Sequence, residues 1–306
     1  MRRNIELKQH IKGYIDLIRP FTLLAPVIVS TCIMIASFFH TGKTDDIFLV
    51  WIKIILPASF SLALLNGASN ALNQLTDVET DKISKPYRPI IKGLISVSEA
   101  KIISIVLYLS SFCLAISVGF IFTVFILLIT LFTVTYSLQP KLKNRLFLNQ
   151  IWVAVPRGLL GILASWSVFG NPLEPLPLSI ALIATFFLIG GSSTKDILDS
   201  DADKKTGVHT IVNTFGAKKA ALISLPFMFF PFVAIPLLIN SGLLNESLWL
   251  LTFLAIPGFF VFRLMFEEKR SRFFENTPAW ALMYMTYFVF AFGFSTLTVL
   301  SSIVTY

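Results

Sequence analysis

Long apolar runs separated by short polar segments organise this chain. Nine such runs lie near 21–40, 48–72, 100–117, 120–138, 149–169, 176–194, 219–240, 247–265 and 279–303. Each is close to the roughly 20 residues that a helix needs to cross the hydrocarbon core of a bilayer. The third and fourth are divided only by the short stretch Ser117-Val118-Gly119-Phe120. Pro57, Pro156, Gly158, Gly161, Pro226 and Pro231 interrupt several spans. Membrane helices accept such breaks where neighbours or cavity water satisfy the freed backbone groups. The pattern predicts an all-α polytopic membrane protein of nine transmembrane helices, built as a single unit over residues 1–306.

The polar segments add an orientation. Arg2, Arg3, Lys8, Lys12 and Arg19 precede the first run, and Lys82, Lys85, Arg88 and Lys92 follow the second. Lys141, Lys143 and Arg145 follow the fourth; Lys195, Lys204, Lys205 and Lys218 surround the link from sixth to seventh; Lys269, Arg270 and Arg272 follow the eighth. The intervening segments are nearly free of Lys and Arg. Alternation of this kind predicts a multi-pass protein of the cell membrane whose N-terminus is cytoplasmic. The N-terminal 20 residues are mixed in charge and lack a signal-peptide core and cleavage site, so the first span reads as an uncleaved anchor.

Composition sharpens this reading. Of 306 residues, 55% are hydrophobic and only 14% charged, against roughly 25% charged in a soluble domain. The net charge of +8 follows from the basic loops, and no basic-aromatic pattern points to nucleic acid. Cys32 and Cys113 fall in apolar runs, with neither metal-ligand spacing nor a disulfide framework, and read as buried free thiols. His10, His40 and His209 are scattered without zinc spacing.

Against this background two acidic stretches stand out. Asn73, Asp77 and Asp81 recur every four residues after the second run, and Asp196, Asp199 and Asp203 lie at helical spacing after the sixth. Residues four apart share a helix face. Each set then forms a ladder of hard oxygen ligands suited to Mg²⁺, which takes a carboxylate or two and fills its shell with water and phosphate. Glu79 and Asp201 fall off those faces. Ionisable groups at the membrane are expensive and mark functional sites. Both ladders fall on the predicted cytoplasmic face, after spans two and six, which also hints at a four-span internal repeat. Together they suggest a divalent-metal site for a diphosphate, and so an enzyme acting on an isoprenyl diphosphate. A solvated helix end is the plain alternative for either ladder alone.

A diphosphate leaving group gains charge as its C–O bond breaks, and cations stabilise it. Arg19, Arg88, Lys141, Lys143 and Arg157 are candidates, with Lys195 as a further cation at this face. Arg157 lies well inside span five, where a guanidinium needs an anionic partner: substrate, or one of the motif aspartates in a structural ion pair. Tyr136, at the end of span four, reads on its own as an interfacial aromatic. Some of the thirty Phe residues could line a tunnel for a prenyl tail and shield an allylic cation. No single general base stands out; Asp196 could orient or deprotonate an acceptor. An ion-coupled transporter is the rival from another class, but its acids belong near the bilayer midplane.

These residues resemble the UbiA superfamily of intramembrane prenyltransferases over nearly the whole chain. Asn73, Asp77 and Asp81 match that family's first motif, Asp199 and Asp203 its second, and Asp196 a further frequent acid. Tyr136 with Lys141 and Lys143 resembles its Tyr-Lys element, and Arg19 its N-terminal Arg-Pro. The resemblance implies helices around a central cavity open to the cytoplasmic side, and Mg²⁺-dependent transfer of a polyprenyl group to a lipophilic acceptor. LNQLTDVETDK is similar to homogentisate prenyltransferases. KPYRPI is similar to digeranylgeranylglyceryl phosphate synthases and chlorophyll synthases. Ala202 stands where Gly is usual, and Lys92 where Ser often precedes Gly93. No transit peptide is evident, which argues against a plastid enzyme. Geranylgeranylglyceryl phosphate in an archaeal membrane is the expected acceptor, with aromatic or chlorophyllide acceptors as alternatives.

Overall fold

The computed structural model describes residues 2–304 except 272, 274 and 275, with side chains from Leu7 onward. The side chains of Arg2 and Arg3, and all of Arg272, therefore lie outside the described residues. The rest is helical, and among the described residues the only β feature is an isolated bridge between Phe273 and Asn276.

Helix α1 (Arg2–Ile18) ends at Arg19, which takes a left-handed backbone, and Pro20 begins α2 (Pro20–His40). Pro fits this first position, where its missing N–H is not needed. Helix α3 (Ile47–Thr76) contains a π turn at Trp51–Ile55. The short α4 (Val78–Ser84) follows. Helix α5 (Val97–Val118) starts with a capping box of Ser96 and Glu99, and Gly119 separates it from α6 (Phe120–Ser137). Residues 148–166 form α7, interrupted by a π turn at Val155–Leu160. Helix α8 (Pro175–Lys205) passes through a 3₁₀ turn at Ser193–Lys195. Then come α9 (Ile211–Phe215), α10 (Ala217–Val233), α11 (Ile235–Asn240), α12 (Glu246–Phe266) and α13 (Pro278–Val304).

Seven of these are long and apolar enough to cross a membrane: α2, α3, α5, α6, α8, α12 and α13. The count of nine is not reached by that measure. The runs near 149–169 and 219–240 are helical but segmented. The π turn carrying Pro156 divides one, and Ala234 divides the other into α10 and α11. Proline removes a backbone donor and crowds the preceding turn, which accounts for the first interruption.

Two large apolar clusters hold most of the bundle, and a small third one joins Leu17 of α1 to Ala71, Ile95 and Ala100. One large cluster joins Met34 and Phe38 of α2 with Ile55 of α3 and Phe122 and Ile126 of α6. The other joins Phe187 of α8, Met228 and Phe232 of α10, Val261 of α12 and Phe290 and Phe294 of α13. Helices α2 and α7 contribute to both, so they form the seam along which a central cavity opens. Close helix approach depends on small residues: a methyl at Gly258 would collide with the Met228 carbonyl. The outer rows of α5 and α6 expose Ile102, Leu109, Phe120 and Leu131, a surface suited to lipid. Cys113 is exposed on α5 and Cys32 is half-buried. The expectation of two buried thiols fails at Cys113, whose position turns toward that outer face.

The chain returns to the cavity end after each pair of traverses. Single cysteines at Ser84 and Asn171, in a background lacking Cys32 and Cys113, should therefore react with membrane-impermeant maleimide from opposite sides. Labelling of both from one side would break this topology.

Candidate active site

The two acidic stretches reach the same place by different local routes. The second keeps a single helix: Asp196, Asp199 and Asp203 all lie on Asp196–Lys205, the last part of α8. The first does not. Helix α3 ends at Thr76, and Asp77 leaves the helical region with φ −109° and ψ 16° before α4 begins. The expected continuous ladder is thus broken at its middle rung. Two backbone bonds, Asp77 N–H to the Asn73 carbonyl (3.0 Å) and Asp81 N–H to the Asp77 carbonyl (2.8 Å), carry the four-residue spacing across the break. Asn73, Asp77, Asp81, Asp196, Asp199 and Asp203 consequently line one cavity of about 430 Å³. Glu79 and Asp201 point to solvent, paired with Lys82 and Arg270.

Cations cross-link these acids. Lys143 Nζ donates to Asn73 Oδ1 (3.0 Å), to Thr76 Oγ1 (2.9 Å) and to Asp77, gripping the break itself. Burial lowers the Lys143 pKa, and the Asp77 carboxylate opposes that shift. Arg88 pairs with Asp81 out of solvent; Asp81 is only 2% exposed. Burial raises the Asp81 pKa, with Arg88 and Lys85 acting against it. Lys85 spans to the other stretch, with Nζ 2.6 Å from both oxygens of Asp199. Thr80 Oγ1 donates to Thr206 Oγ1 at 3.2 Å nearby.

A second group sits deeper. Lys195 Nζ donates to the Tyr136 hydroxyl (2.7 Å) and to Asn149 Oδ1 (3.0 Å), and lies 3.8 Å from Asp196. Tyr136 donates to the same Asn149 oxygen at 3.1 Å. Asn149 and Gln150 amides face Asp196 at 3.3 and 3.4 Å. The π turn of α7 presents Arg157, and π turns recur at functional sites. Gly158 allows the turn to lie against α8, since a Cβ there would stand 2.7 Å from the Thr185 Cα. The Tyr287 hydroxyl donates to the Arg157 carbonyl at 3.0 Å. Of the two partners considered for Arg157, the ion pair with a motif aspartate does not form. Its side chain is exposed to the cavity and, among the described residues, has no acidic partner. Arg19 also lines the cavity.

Lys141 departs from expectation. Its backbone is left-handed, it is half-exposed, and it does not line the cavity. Lys143, two residues on, does. Sequence reasoning missed Lys85, Asn149 and Tyr287. Lys85 continues the 73-77-81 period by one more step, and Asn149-Gln150 is a polar pair inside an apolar run; those were the available signals.

The polar cavity adjoins an apolar one of about 200 Å³, lined by Val29, Leu62, Leu65, Ile129, Leu188 and Trp152. Asn73, Tyr136, Arg157, Lys195 and Tyr284 border both. The pair of chambers fits an amphiphile with an anionic head. The polar end also fits a hard cation. Asp203 is 7% exposed, and among the described residues its carboxylate has no counter-ion. A buried carboxylate in that state calls for positive charge. Three or more acids do not converge on one point among the described residues. A cation here would take one or two protein oxygens and complete its shell elsewhere, which suits Mg²⁺.

Known proteins are similar to this chain in sequence and fold. The model of the UbiA prenyltransferase family matches residues 23–286. A digeranylgeranylglyceryl phosphate synthase of Methanosphaera stadtmanae is 28% identical over 74% of this chain and 77% of its own length. One from Methanococcus aeolicus is 31% identical over 81% of this chain and 80% of its own. The structure of a UbiA homologue from Archaeoglobus fulgidus bound to DMAPP and Mg²⁺ superposes with a TM-score of 0.70 at 17% identity, covering 94% of this chain and 99% of that one.

The contrast between paired and unpaired cations is testable. Arg88→Ala strands the buried Asp81 carboxylate and should cost about 3–5 kcal/mol of stability. Arg157→Gln strands nothing and should leave thermal unfolding in detergent unchanged. Equal destabilisation by the two would contradict the assignment.

Proposed function

The chain belongs to the UbiA prenyltransferase family, and from that premise we propose that it transfers a geranylgeranyl group from its diphosphate to geranylgeranylglyceryl phosphate in membrane-lipid biosynthesis. The observation that supports this reading best is the junction of a carboxylate- and cation-lined cavity with an apolar chamber. The names of the similar synthases favour the acceptor. The whole chain acts as one membrane unit. The alternation of its basic loops supports an N-terminus and cavity on the cytoplasmic side.

The diphosphate head occupies the polar cavity and the prenyl tail the apolar chamber. Asn73, Asp77, Asp81, Asp199 and Asp203 would hold Mg²⁺. Bound there, the metal offsets the charge of the diphosphate and stabilises it as a leaving group. Arg157, Lys143 and Arg19 neutralise the oxygens on which charge grows as the allylic C–O bond breaks. Arg88 and Lys85 keep the carboxylates in place, and Lys195 with Tyr136 lines the point where head meets tail. The bonding pair departs with the diphosphate, leaving an allylic cation faced by Tyr136, Trp280, Tyr284 and Tyr287. Aromatic faces stabilise cations when water is excluded. The acceptor hydroxyl then forms the new C–O bond and loses its proton. Asp196, held by Asn149 and Gln150, would orient or deprotonate that hydroxyl.

Activity should require Mg²⁺ or Mn²⁺. Asp77→Asn and Asp199→Asn should each abolish product while the protein still purifies as a folded species; undiminished turnover in EDTA, or wild-type rates in both variants, would sink the metal reading. Arg157→Gln should lower kcat by about 10²–10³-fold, the usual loss when one preorganised charge-stabilising group is removed.

The acceptor is tested by competition. Supplied with geranylgeranyl diphosphate, geranylgeranylglyceryl phosphate and homogentisate together, the enzyme should yield the diether lipid phosphate by mass spectrometry. A prenylated quinol precursor as sole product would overturn the acceptor and leave prenyl transfer standing.

A further inference from the structure

Helix α1 presents a surface that the site chemistry does not use. Leu7, Ile11 and Ile15 recur every four residues and are 59%, 49% and 48% exposed. Residues so spaced form one row along a helix. Exposed Lys8 and Lys12 occupy the stripe beside it. The helix is not free to turn this row inward, because its opposite side is pinned to the bundle. A Cβ on Gly13 would stand 3.1 Å from Leu94 Cβ and 3.2 Å from Ile95 Cγ2, so the helix lies hard against that segment. Leu17 is fully buried. Gln74 Nε2 donates to the Leu17 carbonyl (2.7 Å) and Asn70 Nδ2 to the Ile18 carbonyl (2.9 Å). Tyr14 donates to Glu99 at 2.9 Å, and His10 Nε2 meets the same oxygen at 2.9 Å.

We infer that α1 is an in-plane interfacial helix, with Leu7, Ile11 and Ile15 in the headgroup–acyl boundary and Lys8 and Lys12 on anionic headgroups. Three observations select the bilayer as occupant. Just past the Arg19-Pro20 break, Phe21 and Leu24 are likewise 37% and 46% exposed on α2, which is long and apolar enough to cross the membrane. Connectivity therefore sets α1 at the level where α2 enters the membrane. An apolar row flanked by lysines is the composition of helices that lie in the interface and favour anionic lipid. Finally, the left-handed Arg19 that separates the helices lets α1 leave the axis of α2. That residue also lines both cavities, and Asp16 lines the polar one. The surface helix and the cavity wall thus share one hinge.

The test is spectroscopic and does not depend on the proposed reaction. Nitroxides are placed singly at 7, 9, 11, 12 and 15 in a background lacking Cys32 and Cys113, and the full chain is reconstituted in phosphatidylcholine–phosphatidylglycerol nanodiscs. Oxygen should relax the labels at 7, 11 and 15 more than a water-soluble nickel complex does, with the order reversed at 9 and 12. Lys8→Gln with Lys12→Gln, or omission of phosphatidylglycerol, should shift the labels at 7, 11 and 15 toward nickel. Nickel-dominated relaxation at 7, 11 and 15 would place the helix in water and overturn the inference. Shielding of those three from both reagents would mean that protein, such as a second copy, covers the row, and would overturn it equally. Insensitivity to the lysines and to anionic lipid would overturn the headgroup contact.

Discussion

Burying several carboxylates at one end of an apolar bundle is the constraint around which this molecule is arranged. An uncompensated charge taken out of water is costly, and pairing recovers the cost only when geometry is good. Here the pairing is done by cations from other segments. Lys143, from the link between α6 and α7, holds Asn73, Thr76 and Asp77. Arg88, beyond α4, holds Asp81. Lys85 reaches Asp199 on α8. Of these contacts, the Lys85–Asp199 pair joins the first acidic stretch to the second at the cavity end of the bundle. Asp203 and Arg157 are the exceptions, one anion and one cation without partners among the described residues, and both face the cavity. In the proposed reaction, a metal and a diphosphate would supply the partner that each lacks.

The same arrangement explains why a polar site can sit against an apolar chamber. Tyr136, Asn149 and Lys195 satisfy one another by hydrogen bonds, so the border between the chambers carries few unpaired groups. The π turn in α7 does the reverse. It presents Arg157 to the cavity, while Tyr287 caps its carbonyl and Gly158 lets the turn rest on α8. Irregular backbone at membrane depth is tolerated where it is buried in protein or lines a cavity, and both breaks nearest the site, at Asp77 and at 155–160, meet that condition.

Much of this was legible in the chain because the governing patterns are local. Apolar run length disclosed the helices, and helical three- and four-residue spacings in a chain poor in acids disclosed both carboxylate sets. What was not legible depended on backbone conformation or on distant partners. The spacing from Asn73 to Asp81 is compatible with one helix or with two joined at Asp77, and only the φ and ψ of Asp77 separate these. Lys141 and Lys143 look alike in sequence, but a left-handed residue sends the first away and the second inward. The runs near 149–169 and 219–240 have the composition of spans, yet their interruptions remove them from the set of continuous ones. Arg157 was legible as a guanidinium in need of an anion, but whether an aspartate of the chain supplies it depends on distant packing, and among the described residues none pairs with it.

The central claim is that the carboxylates and cations of the cavity jointly receive a metal-bound diphosphate. Calorimetric binding of a non-hydrolysable geranylgeranyl thiolodiphosphate to the purified protein tests it most directly. The account predicts saturable binding in the presence of Mg²⁺ that is lost when the metal is omitted. Binding of equal strength with and without Mg²⁺, or none in either case, would contradict it.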